Sequence, residues 1–596
     1  MSAADDLQLL LVEANDRRPV LPRGLSGSAT GAVPETEASA QQPAYLWEEG
    51  GDPNDLTLQR WGLIVPEGPV GDRRLAQLAP LVALRQGQQG GHTVRVFRAP
   101  AQLDEVAAAR WRKQNLETGQ ALSLDTPRYL LIAGELDEVS LPLQQVLQTD
   151  TFVGRIAFRD PGGYEAYVDK VLRTERAARP SAAGRCLLYT VHDGTSATGI
   201  GHQSLVAPGT ELLLRAQRGG QLAASLVQAA GDEMMPSPGE LLALAGRPEP
   251  AVLLSMSHGE GPPRGGWRSA DEQRRSQGAM SFGSEGRLSG DDLSGRRFLP
   301  QGLWMMVACY GAGTPALSAY KPWLEELRRI GQYRGAAEAV LPGLPKSGER
   351  PFVAAVPQAV LSSPDGPLGF IGHMDLAWTY GFADLDSGPQ AVPRPARFAA
   401  ALRSALRGDR IGIACRELMR VLGQTQTELL AIAMQAALTG AGPDEAMRAR
   451  RGHLWMLRQD LAGYVLLGDP AVRLPVPGQV PAAGVVAGRA VASDPGLAGG
   501  PGSAYDLLGL PGPPPADERA DRVAPTPRPA APRAQAPTLP LPLERLEEAI
   551  GHALVGDRGP GELARSYGLS RTELEGWVDR YRRGGRRALS EPEGSG

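Results

Sequence analysis

Two apolar runs in this sequence end in residues that do chemistry. Ala251-Val-Leu-Leu-Ser-Met-Ser leads into His258-Gly259-Glu260-Gly261, and Leu303-Trp-Met-Met-Val-Ala leads into Cys309-Tyr310-Gly311-Ala312-Gly313. Short apolar runs closed by glycine read as buried strands, and in an open parallel sheet reactive groups gather at the carboxyl ends of strands. If the two strands are neighbours, an imidazole and a thiol stand side by side. A cysteine nucleophile needs an imidazole to exchange its proton and backbone N–H groups to receive an oxyanion. Gly259 and Cys309 supply such amides, and a glycine after His258 lets the backbone approach closely. Taken singly, a cysteine after a strand is more often core and a His-Gly more often a turn; the matched placement of both favours catalysis.

Other candidates are weaker. Asp193, in the loop after the Cys186–Val191 run, is either an acid facing a pocket or a turn-forming Asp-Gly. Glu211 and Glu260 are candidate orienters of His258. Asp375 and Trp378, after the Leu368–Gly372 run, line the crevice or pack its rim. His192 and His202 flank the Asp193 loop without metal-like partners, and Cys186 and Cys415 read as core. Gly194-Thr-Ser-Ala-Thr-Gly-Ile-Gly lacks the lysine of a P-loop. No cofactor and no metal site is expected.

The elements around these residues read as α/β. Strands are expected at Trp61–Val65, Val94–Phe97, Tyr129–Ala133 and Arg155–Phe158, with helices at Leu75–Leu84, Leu103–Trp111 and Gly163–Arg176. A second series follows, with strands at Cys186–Val191, Leu212–Arg215, Ala251–Ser257, Leu303–Ala308, Pro351–Val356 and Leu368–Gly372. Its helices are expected at Gly220–Ala230, Leu317–Ile330, Arg397–Leu406, Ile411–Leu422 and Thr425–Ala437, and the folded unit closes over Tyr464–Leu474. The expected organisation is a polar extension over 1–57 with one short strand or helix candidate at Leu7–Val12, a non-catalytic α/β subdomain over 58–178 and a catalytic one over 183–475. A Pro/Ala/Gly-rich linker over 476–542 and a small all-α tail over 543–589 complete it. The stretch from Arg264 to Pro300, rich in Gly, Ser and Arg, reads as a mobile loop.

Composition narrows the class. The chain has 596 residues with 62 basic against 66 acidic side chains, so bulk binding to nucleic acid or anionic membrane is not expected. Three scattered cysteines exclude a disulfide framework or zinc ribbon. The start, Met-Ser-Ala-Ala-Asp-Asp, is no secretory signal, and no run reaches the length of a membrane span, so a cytoplasmic setting is expected.

His-Gly-Glu-Gly after one strand and Ala-Cys-Tyr-Gly-Ala after the next resemble the dyad motifs of caspase-fold (clan CD) cysteine peptidases, the gingipain-like branch above all. Tyr129-Leu-Leu-Ile-Ala-Gly-Glu-Leu, Val153-Gly-Arg-Ile-Ala-Phe, Tyr167-Val-Asp-Lys-Val-Leu and Gly468-Asp-Pro-Ala-Val-Arg-Leu echo further segments, over roughly 58–475. The resemblance implies two side-by-side caspase-like α/β/α subdomains, catalysis in the second, and His258 and Cys309 as the dyad. It also implies an acidic first pocket, for which Asp193 is the candidate, and so cleavage after Arg or Lys. Gingipains are secreted; with no signal here, a signalling or defence role is expected. In the tail, Ala564-Arg-Ser-Tyr-Gly-Leu-Ser-Arg-Thr-Glu-Leu-Glu-Gly-Trp resembles a transposase-type helix-turn-helix, with Ser570 and Glu573 as a capping box. Either DNA or a protein partner suits it. The competing function is a catalytically silent scaffold or adaptor working through residues 543–589.

Overall fold

The computed structural model describes residues 6–32, 51–116, 126–177, 183–384, 392–439 and 444–477, with 564–567 and 569–574 in the tail. The chain divides into two units, Met1–Gly488 and Arg489–Gly596. The first is built on one sheet of ten strands: β1 (Trp61–Pro66), β2 (Arg95–Ala99), β3 (Tyr129–Ala133), β4 (Phe152–Ile156), β5 (Gly184–Thr190), β6 (Ala224–Ala230), β7 (Ala251–Met256), β8 (Leu303–Val307), β9 (Gly369–His373) and β10 (Tyr464–Leu467). Their order across the sheet is β2-β1-β3-β4-β10-β9-β8-β7-β5-β6.

Most of these strands are buried along their whole length, as strands covered by helices on both faces must be. The alternation is visible in β1: Leu63 and Val65 join the main core, whereas Ile64 packs on the other face with Phe97, Trp111, Leu130 and Leu143. The two α/β subdomains expected from the sequence do not carry separate sheets but share this one. β10, from the far end of the unit, lies between β4 and β9, parallel to the first and antiparallel to the second. It closes two edges that would otherwise carry unpaired backbone groups. The two five-stranded runs therefore point in opposite directions.

Buried charges tie the first run together. Arg155, fully buried on β4, donates to Gln144 Oε1 at 2.8 Å and to the carbonyls of Gly134, Glu135 and Ser140 at 2.8, 3.3 and 3.2 Å. Arg85 donates from Nε (2.9 Å) and a terminal nitrogen (2.7 Å) to Asp469, just beyond β10. Lys170 gives its ammonium to the carbonyls of Val360, Leu361 and Ser363 at the end of helix Ala355–Ser362. Such charges are tolerated inside a protein only when satisfied in this way.

Other local expectations also change. Leu212–Arg215 belongs to helix Ala207–Arg218, and Gly220–Ala230 yields the edge strand β6. Pro351–Val356 splits between a two-residue strand, Phe352–Val353, and helix Ala355–Ser362. Helices Ile411–Leu422 and Thr425–Ala437 are one element, Ile411–Thr439. The stretch from Arg264 to Pro300 is packed, with Met280, Phe282, Leu288, Leu293 and Phe298 buried. Residues 6–32 are packed: within the polar extension, the apolar run Leu7–Val12 is buried and Leu11–Glu13 forms a strand.

In the second unit, the described residues carry the capping box. Glu573 N donates to Ser570 Oγ at 3.2 Å, and Ser570 N donates to Glu573 Oε2 at 2.8 Å. Ala564, Leu569 and Leu574 are buried. The rest of the expected three helices and nearly all of the linker lie outside the described residues.

Candidate active site

β7 and β8 are adjacent and parallel, with Met256 opposite Val307. The ladder continues one step, Ser257 N donating to Val307 O at 3.2 Å, so the same register carries His258 and Cys309 out of the sheet together. Both are fully buried. Past Met256 the chain forms the strand His258–Gly261, which lies between Met280–Ser281 and Leu11–Glu13 in a small sheet.

Backbone geometry fixes the nucleophile. Tyr310, directly after Cys309, sits at φ 56°, a left-handed conformation that costs a non-glycine residue about 1–3 kcal/mol and persists only where the surroundings hold it. They do: Tyr310 N donates to Asp375 O and Ala312 N to His373 O, both at 2.9 Å. Gly259 is required by close approach, since a Cβ there would lie 1.9 Å from Cys309 O. It is the Cys309 carbonyl, rather than space for a ligand, that demands glycine.

His258 Nδ1 is 2.8 Å from Asp193 Oδ2. The other carboxylate oxygen, Oδ1, accepts from Thr195 N, Thr195 Oγ1 and Thr198 Oγ1 at 3.2, 2.7 and 2.7 Å. Burial pushes the Asp193 carboxyl up, but the bonds from His258 and the two threonines outweigh it and hold it near 2. Asp193 is therefore an ionised acid fixed on the imidazole. Both oxygens are taken and the side chain is 2% exposed, so it cannot receive a substrate guanidinium; its reading as a pocket acid is corrected. The partner of His258 lay 65 residues upstream, where no local pattern signals it. The other candidate orienters are elsewhere: Glu211 is exposed beside Arg215, and Glu260 pairs with Arg287 at 2.9 Å.

With Nδ1 accounted for, His258 Nε2 has no hydrogen-bond partner among the described residues. Cys309 Sγ accepts from Ala377 N at 3.2 Å, and burial pushes its thiol well up. Cys186 and Cys415 are buried core residues whose thiols are pushed up to about 12 by the same cause.

The amides of Gly259 and Cys309 converge on one oxygen, the carbonyl of Leu10, at 2.9 and 3.3 Å. Nothing in the residues flanking Leu10 suggested this from sequence beyond an apolar run in a polar context.

Asp375 and Trp378 lie on the far wall, but neither side chain faces the cleft as a polar contact. Asp375 accepts from Ala319 N and Leu376 N, both at 2.8 Å, and burial raises its carboxyl to about 6. Trp378 is fully buried against Tyr320 and Trp323. What the wall offers is backbone: Ala377 O accepts from Leu10 N at 3.3 Å. Their reading as pocket side chains is thus replaced by one in which they hold the wall in place.

His192 and His202 meet edge to face with ring centres 4.8 Å apart, and Thr190 Oγ1 is hydrogen-bonded to His202 Nδ1. Among the described residues no group of His, Cys, Asp and Glu is placed to hold a metal ion, and no helix is long and apolar enough to cross a membrane.

No family model matches this sequence, and no curated protein does. Solved structures do match, at low identity. A protease structure matches at a TM-score of 0.39 and 12% identity, covering 72% of this chain and 80% of its own. The Arg-specific cysteine proteinase gingipain R matches at 0.33 and 11%, covering 70% and 78%. The complex of Porphyromonas gingivalis RgpB pro- and mature domains matches at 0.36 and 12%, covering 70% and 79%.

Proposed function

We propose that this chain is a cysteine endopeptidase working through Cys309 and His258. The observation that carries the reading is the pair of amides, Gly259 and Cys309, aimed at one carbonyl oxygen beside a thiol and an imidazole. Cys309 Sγ attacks the carbonyl carbon of a peptide placed there. The oxygen takes up negative charge between the two N–H groups, where fixed donors stabilise it best. His258, oriented by Asp193, receives the thiol proton at Nε2 and passes it to the leaving amine; water then hydrolyses the thioester. The preference for Arg or Lys loses its support, because the carboxylate on which it rested is bound to His258. The cytoplasmic, signalling or defence setting and the partner of the tail stay with the sequence reading alone.

The test is cleavage of a peptide library by the chain carrying Leu10→Glu, which forces Leu10 from between the two amides, beside the same chain with Cys309→Ala. Cleavage by the first and none by the second is expected. A catalytically silent scaffold would cleave nothing in either form.

A further inference from the structure

We propose that residues Leu7–Glu13 are an intramolecular occupant of the catalytic cleft, and that the peptides this cleft accepts carry a large apolar residue where Leu10 stands. The proposal rests on the reading of Cys309 and His258 as a peptidase centre and adds to it both a latent state and a substrate class.

The segment lies in the cleft as a bound peptide would. On its amino side, Leu9 bridges Trp378 in antiparallel fashion, Leu10 N donates to Ala377 O, and Gln8 N reaches Thr379 Oγ1 at 3.4 Å. At its centre, Leu10 O accepts from both Gly259 and Cys309. On its carboxyl side, Leu11, Val12 and Glu13 pair in parallel with Gly259, Glu260 and Gly261. The backbone is thus read on both sides of the Leu10–Leu11 peptide bond, and that bond is the one presented to Cys309.

The side chains make the second half of the case. Leu9, Leu10 and Val12 are fully buried and Leu11 is 2% exposed. Leu9, Leu10 and Leu11 are part of the unit's main apolar core. The acid that would have suited a basic side chain is spent on His258. A cleft whose built-in occupant seals it with leucines is matched to apolar peptides.

The occupant is also held from outside. Ser196 Oγ donates to Gln8 Oε1 at 2.9 Å, Arg264 Nε meets Glu13 Oε2 at 2.8 Å, and Arg17 Nε donates to Gly283 O at 2.7 Å. Further on, Trp323 Nε1 donates to Ala29 O at 2.9 Å. A ligand tethered in this way competes at an effective concentration in the millimolar range, so a free peptide must overcome it. The anchor at Ala29 also means that removing the whole N-terminus would damage the fold, which calls for point substitutions.

The experiment is alkylation of Cys309 by iodoacetamide in the full chain, followed by peptide mass spectrometry, in wild type and in Leu10→Glu. A buried carboxylate at position 10 expels the segment, and Cys309 should then react at least about tenfold faster. Cys186 and Cys415 should stay protected in both and report that the fold is intact. If they become reactive, Leu10→Pro, which removes the N–H given to Ala377 and restricts the backbone there without burying a charge, takes its place. A synthetic peptide spanning residues 6–14, in excess, should restore protection, and a leucyl peptidyl chloromethyl ketone should outpace its arginyl counterpart. Equal alkylation of Cys309 in wild type and variant would overturn the occupancy, and a faster arginyl reagent would overturn the substrate class. The underlying peptidase reading fails separately, if the opened variant is alkylated quickly yet cleaves no peptide.

Discussion

The two runs of the ten-stranded sheet are built alike and used differently. In both, buried strands end in loops that carry polar residues. In the first run the buried polar residues are satisfied: Arg155, on β4 itself, makes four hydrogen bonds, and Asp469, just beyond β10, is held by Arg85 from helix Gly68–Gln88. In the second run His258 keeps one ring nitrogen unpartnered, and two amides leave the sheet to meet a carbonyl from another part of the chain. Polarity matters as well. Because β9 and β10 are antiparallel, the carboxyl edge of the second run lies beside the amino edge of the first, so the first run's strand ends cannot reach the site. It supports the centre without contributing to it.

The largest effect expected from breaking this division is on chemistry alone. In the Leu10→Glu background, Cys309→Ala and His258→Ala should each abolish peptide cleavage while circular dichroism and the thermal midpoint stay close to the parent's. Retained cleavage by either variant would place the chemistry elsewhere. Asp193→Asn in the same background should lower kcat by about 10²–10⁴-fold, since the imidazole loses its ionised orienting partner. KM should change little, which separates positioning from a pocket role, where KM for basic peptides would rise instead.

The converse substitution belongs in the first run. Arg85→Met leaves Asp469 as a buried charge without its main partner and should cost about 3–5 kcal/mol of stability. The iodoacetamide reactivity of Cys309, measured well below the melting transition, should not change. A changed Cys309 rate would show that the two runs are coupled more tightly than the division allows.

The smallest effect is a pH dependence. Burial raises the Asp375 carboxyl to about 6 from an ordinary value of 3.8. A carboxyl raised in the folded state contributes stability that is complete below about 3.8 and lost as pH rises through 6. Asp375→Asn removes that titration, so its stability relative to wild type should improve between pH 4 and pH 6, followed by urea unfolding. A difference that stays flat over this interval would mean that Asp375 does not titrate there.

What could be read in the sequence was what is continuous along the chain. Tyr129–Ala133 and Ala251–Met256 are unbroken apolar runs, and His258 and Cys309 follow β7 and β8 directly, so their placement at neighbouring strand ends was legible. Leu212–Leu214 looked equally continuous but is one turn of a helix in which Leu213 is buried and its neighbours are only half-buried. A run that short does not distinguish the two. β6, an edge strand with only Val227 buried, is rich in alanine and read as helix for that reason. The stretch from Arg264 to Pro300 buries apolar residues singly, between glycines and arginines, and leaves no periodic trace. The remaining features depend on contacts across the fold: Asp193 on His258, Leu10 on two amides, β10 between β4 and β9.

The most direct measurement is a crystal structure of the Leu10→Glu chain after reaction with a leucyl peptidyl chloromethyl ketone. The account predicts a thioether at Cys309 Sγ, with the inhibitor's oxygen where Leu10 O stood, accepting from Gly259 N and Cys309 N, and residues 7–13 displaced. An adduct on Cys186 or Cys415, or one on Cys309 whose oxygen turns away from both amides, would contradict it.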